Sequence, residues 1–112
     1  MFFDDYTQLI RFSDDKMVKV NLYESHRMFA DLYCLKPGQE QKVHDHEGED
    51  KVYFVLEGKV LGIVGDLEKE MGAGESCAAP AGEPHGIRND SDENAVVLVF
   101  MAPHPRPGQF SV

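Results

Sequence analysis

From about Met17 onward the chain breaks into short β-type runs separated by Gly, Pro, Asn and Asp. That cadence is the pattern of an all-β sandwich or barrel, and it leaves little room for a crossover helix. The runs are Val18 to Tyr23, Met28 to Leu35, Gln41 to His46, Lys51 to Glu57, Val60 to Val64, Glu68 to Met71, Ser76 to Ala79, His85 to Asn89 and Ala95 to Met101. Lys36-Pro37-Gly38 and Glu57-Gly58-Lys59 carry turn chemistry, Gly65-Asp66 can make a hairpin, and Asn89 to Asp92 reads as a polar loop. A short helical turn is expected near Asp4 to Phe12, capped by Asp4 or Asp5. These marks divide the chain into an N-terminal segment (1–16), one barrel (17–102) and a Pro-rich tail (103–112). Pro103, Pro105 and Pro107 remove ladder donors, so the tail is expected on the surface or against a partner.

A chain of 112 residues supports one compact core and not two. Its net charge of −9 opposes nucleic-acid binding, which depends on clustered Lys and Arg. No apolar run approaches the roughly 18 residues of a membrane-spanning helix. Cys34 and Cys77 form no CxxC, and the N-terminus lacks the basic and apolar regions of a leader, so a cytoplasmic protein with free thiols is expected. Apolar residues between Phe2 and Phe12 have no obvious barrel position, and the sheet edges need covering, so a homodimer is expected as well.

The chemistry concentrates in two segments. Gly38 is followed after five residues by His44-Asp45-His46, and that segment ends at Gly58. Gly74 is followed after five residues by Pro80-Ala81-Gly82, then His85 and Asn89. Period-two alternation sets His44 and His46 on one strand face, and His85, entering after a tight turn, can meet them from a neighbouring strand. Three neutral imidazoles make half a shell for a divalent metal. The plainer reading leaves His44 and His46 as polar residues on a half-exposed strand.

These segments resemble the paired signature of the cupin superfamily, G-x5-H-x-H-x3,4-E-x6-G and G-x5-P-x-G-x2-H-x3-N. The second matches at Gly74, Pro80, Gly82, His85 and Asn89, the first at Gly38, His44, His46 and Gly58. The resemblance implies a small single-domain cupin: a double-stranded β-helix or jelly-roll barrel with a metal or ligand cavity at its mouth. It implies His44, His46 and His85 as ligands of an Fe, Mn, Ni or Zn ion. One position departs. The carboxylate slot, six residues before Gly58, holds Lys51, with Asp50 beside it. An ammonium close to a dication is repelled by several kcal/mol even at an effective dielectric of about 20.

Three outcomes stand open. A bulge could turn Asp50 inward as a fourth ligand. Lys51 could extend out of the cavity and leave the ion on three His and water. Lys51 could instead fill the ion's place and make a metal-free pocket. Lys51 and Tyr53 are candidate catalytic groups, and Val55 shares their face, whereas Phe54, Leu56, Leu98 and Phe100 read as ordinary core. Tyr33 and Cys34 face opposite ways, with the inward one undetermined. Cys77 reads as a buried, inert thiol and His26 as a surface residue. Arg88 is a candidate anion anchor that alternation turns outward, and His104 could reach the barrel if the tail folds back.

Two functions follow. One is a metalloenzyme, a dioxygenase or isomerase acting on a small anionic substrate. The other is a non-catalytic small-molecule- or sugar-binding cupin, with or without metal.

Overall fold

The computed structural model describes residues 2–45 and 47–105. It contains nine strands: β1 (Val18–Glu24), β2 (Phe29–Leu35), β3 (Glu40–His44), β4 (Asp50–Glu57), β5 (Lys59–Val64), β6 (Leu67–Gly72), β7 (Ser76–Ala79), β8 (His85–Arg88) and β9 (Ala95–Ala102). They form a five-stranded sheet in the order β1-β2-β9-β4-β7 and a four-stranded sheet in the order β3-β8-β5-β6. Every pairing is antiparallel. The two sheets face each other as the double-stranded β-helix expected from the sequence.

Alternation decides what the sheets enclose. Along β4, Lys51, Tyr53 and Val55 are buried while Phe54 is exposed. The interior is packed by Leu35, Val55, Val60, Met71, Ile87 and Val97, among others. A second cluster lies on the outer face of the larger sheet, where Val20, Leu32, Cys34 and Val96 are covered by Tyr6, Leu9, Ile10 and Phe12. Cys34 therefore faces outward into this layer, and Tyr33 faces the cavity.

This covering layer changes one expectation. The apolar residues of the N-terminal segment do have a place on the barrel, because the larger sheet presents a second apolar face that a single-layer reading overlooks. Phe2 and Phe3 alone of its aromatic residues stay largely exposed. That removes most of the argument for a partner chain. The helical turn expected near Asp4 to Phe12 is a single 3-10 turn, Tyr6–Gln8, with the Asp5 carboxylate accepting from the Thr7 backbone at 3.0 Å. Phe54 and Phe100 are also corrected. Each is 37% exposed on the outer face, beyond the reach of the covering segment, whereas Leu56 and Leu98 pack against the outer cluster.

Two glycines hold the strands where they are. A Cβ on Gly58, at φ +78, would lie 2.4 Å from the Asn94 carbonyl oxygen. A Cβ on Gly86 would lie 2.7 Å from the Gln41 carbonyl oxygen and 3.0 Å from the Val43 nitrogen. Only glycine lets β8 approach β3 so closely. Asn89 locks the next connection, its amide donating to the carbonyls of Leu35 at 3.0 Å and Glu93 at 2.8 Å while its oxygen accepts from the Ser91 backbone.

Among the described residues no helix is long and apolar enough to cross a membrane.

Candidate functional site

The close approach at Gly86 brings His44 opposite His85 in the β3–β8 register. Their ring centroids stand 4.6 Å apart. Each Nδ1 faces a backbone carbonyl two residues earlier: His44 donates to Lys42 at 2.8 Å and His85 to Glu83 at 2.9 Å. A carbonyl can only accept, so in the neutral ring the proton sits on Nδ1 and the lone pair on Nε2. That is how backbone carbonyls orient metal-ligating imidazoles. His46, the third expected ligand, lies outside the described residues, and among the described residues no group of three His, Cys, Asp or Glu gathers.

The register of β4 against β9 is regular from Asp50 to Val55, with its irregularity between Val55 and Glu57. Asp50 therefore stays exposed, and its carboxylate accepts from the Ala81 backbone at 2.9 Å, closing the Pro80 turn. Lys51 takes the inward position with 2% of its surface exposed, so its stem does not leave the cavity. Its amine donates to Gln41 Oε1 at 3.1 Å and lies 5.5 Å and 5.2 Å from the ring centroids of Tyr33 and Tyr53. Burial, and then the charge of Lys19, push the Lys51 pKa down to about 7. A lysine that can be neutral repels a nearby dication far less than an ordinary ammonium.

Gln41 is one residue that sequence reasoning missed. Its Oε1 also accepts from the Tyr53 hydroxyl at 2.5 Å, and its Nε2 donates to the Tyr33 hydroxyl at 3.0 Å. Simple alternation from His44 would put Lys42, not Gln41, on the cavity side. A register shift between Gln41 and His44 reverses that parity, and both side chains line one cavity. Burial raises the pKa of both tyrosines, so both stay protonated.

The cavity measures about 190 Å³, with Lys19, Tyr33, Gln41, His44 and Lys51 among its walls and Pro105 at its edge. The tail does fold back. His104 is buried against Phe29, edge to face at 5.8 Å, and its Nε2 lies 2.6 Å from a Glu24 carboxylate oxygen. Arg88 points outward, as alternation expects, and is held by Asp90 at 2.7 Å and 3.0 Å. A separate cavity of about 280 Å³ beneath β6 borders Cys77, whose pKa burial raises, and includes no imidazole.

Comparison with known proteins places these features in a family. A family model described as the cupin domain matches residues 31–101. The oxalate-binding protein of Thermotoga maritima is 36% identical over 86 residues, covering 75% of this chain and 66% of its own. The H2HPP isomerase of Bacillus subtilis is 32% identical over 68 residues, covering 60% of this chain and 28% of its own. The chain thus spans about two thirds or less of these relatives. Among solved structures, TT1209 from Thermus thermophilus is 50% identical with a TM-score of 0.89, covering 92% of this chain and 98% of that one.

Proposed function

Because the chain belongs to the cupin family, we propose that its barrel binds a small organic anion through a divalent Fe, Mn, Ni or Zn ion held by His44, His46 and His85. The observation that carries this reading is the pair His44 and His85, 4.6 Å apart with each Nδ1 tied to a carbonyl. Two imidazoles fixed in the ligating tautomer on paired strands suit a borderline metal ion. Bound there, the ion would supply a Lewis-acidic centre for chelating oxygens.

The surrounding residues fit an anionic ligand. Tyr33, Gln41 and Lys51 bring polar groups to a cavity that Phe29 and Met101 also line. The relative named for oxalate binding supports a small acid as the ligand class.

A second reading, an isomerase or dioxygenase, draws on a different observation. Lys51, with a pKa of about 7, is a base or acid near neutrality inside the cavity, and Tyr53 lies beneath it. The relative named as an isomerase points the same way.

The deciding measurement is elemental analysis of protein purified without added metal or an affinity tag, with His44→Ala/His46→Ala as control. Wild type should carry close to one divalent ion per chain and the double variant almost none. Equally little metal in both would sink the metal-dependent reading.

A further inference from the structure

Two lysines in this strongly acidic chain converge on one aromatic ring. Lys19 Nζ lies 5.3 Å from the Tyr33 ring centroid, and Lys51 Nζ lies 5.5 Å from the same centroid. The convergence is built into the sheets. Lys19 pairs with Tyr33 across β1 and β2, which puts both on the cavity face, and Lys51 reaches the ring from β4. Lys19 and Lys51 border the same cavity as His44. Lys19 also borders a wider cleft of about 710 Å³ that runs past Ser13, Met17 and Gln41. It stands where that cleft meets the cavity.

Like charges held this close are unfavourable unless something negative lies between them. Asp31 supplies part of that negative charge, acting on both lysines while it accepts from Asn21 Nδ2 at 2.9 Å; Glu24 is held by His104 at 2.6 Å, and Asp15 and Glu40 border the wider cleft. Among the described residues Lys19 makes no ion pair within 4.0 Å.

We propose that Lys19 and Lys51 form an anion subsite in the wall of the cavity that His44 also lines, reading a second acid group on the ligand. The ligand class is then a short organic diacid whose chelating head turns to His44 and His85 while its distal carboxylate meets the lysines. The cavity volume of about 190 Å³ lies below the roughly 300–1,000 Å³ of pockets for drug-sized ligands, which keeps that diacid short. Two lysine amines beside one tyrosine ring suit a carboxylate approaching from the cleft, whose negative charge would favour the protonated form of each. This inference rests on the ligand-binding reading of the cavity. It adds Lys19, which belongs to neither signature segment.

The test uses a matched pair of probes, α-ketoglutarate and α-ketovalerate, which share a keto-acid head and differ in a distal carboxylate against a methyl. Calorimetric titration of wild type should show tighter binding of α-ketoglutarate. Lys19→Met should weaken it about tenfold, the scale of one charged hydrogen bond, and leave α-ketovalerate within about twofold. Lys19→Arg should restore most of the difference. Lys19 is on the rim, so its variants do not depend on repacking the interior around Lys51. Equal loss for both probes, no loss for either, or no binding of α-ketoglutarate to wild type at millimolar concentration would overturn the subsite. Metal content is read on the same samples. If the ion is absent, the metal reading fails by itself, and discrimination by metal-free protein still decides the role of Lys19.

Discussion

The two ends of the barrel interior are made by the same strands and carry opposite chemistry. From the mouth inward, β2 presents Asp31, Tyr33 and Leu35, and β4 presents Lys51, Tyr53 and Val55. Each strand passes from a charged group through an amphipathic ring to an aliphatic one. At the closed end the inward groups of these two strands are apolar and gain from leaving water. At the mouth each buried polar group must find a partner or cost several kcal/mol, on the order of 2–7 for an unpaired one. Stability is thus concentrated at one end and ligand chemistry at the other. The tyrosines form the boundary, because a ring can pack below while its hydroxyl bonds above.

The most severe challenge to this contrast is a cavity at the closed end. Leu35→Ala, at a fully buried position, should lose about 2–5 kcal/mol in urea denaturation while the folded protein keeps its metal content. A loss below about 1 kcal/mol would mean that the closed end does not carry the fold.

An effect of similar size, spread over several pH units, should come from Lys51, and its sign is opposite. Below about pH 7 this amine is protonated in both folded and unfolded chains, so its full desolvation cost is present. Between about 7 and the ordinary lysine value of 10.5 the unfolded chain binds more protons, so stability should rise with pH, by at most about 1.4 kcal/mol per unit. Above that range the cost is gone. Denaturation midpoints followed from pH 6 to about 10 should therefore climb in wild type, and Lys51→Met should flatten the climb without loss of stability at pH 6. Parallel profiles for the two proteins would remove Lys51 as the costly group.

Gly86→Ala should sharpen the comparison with the smallest cost to the fold, about 1–3 kcal/mol for an overpacked contact with the β3 backbone. Its effect on the site should be larger than on stability, because separating β3 from β8 separates His44 from His85. Metal content retained at the wild-type level would show that the pairing tolerates the added methyl group.

The barrel was legible because Gly, Pro and Asn mark where strands must end, and the strand ends stand within a residue or two of the expected positions. Ser76–Ala79 has the same bounds in sequence and structure. Asp50 shows the first limit. Spacing alone gave no sign that its carboxylate closes the Pro80 turn, since that bond spans 31 positions in the chain. Gln41 shows the second. A single register shift reverses which residues face inward, and alternation has no means of detecting one that glycine on the opposite strand permits. Lys19 was missed for a third reason: an isolated lysine on an edge strand looks like solvent-facing charge until its neighbour across the ladder is known to be Tyr33.

The amide of Gln41 gives the mouth a direction. Its oxygen is committed to Lys51 and Tyr53, so its nitrogen must turn to Tyr33. The Tyr53 hydroxyl proton is spent on that oxygen. The Tyr33 hydroxyl, by contrast, accepts a hydrogen bond from the amide and keeps its own proton to give. An uncharged side chain thereby makes two chemically identical phenols unequal, one a closed donor and the other a donor facing any anion that enters.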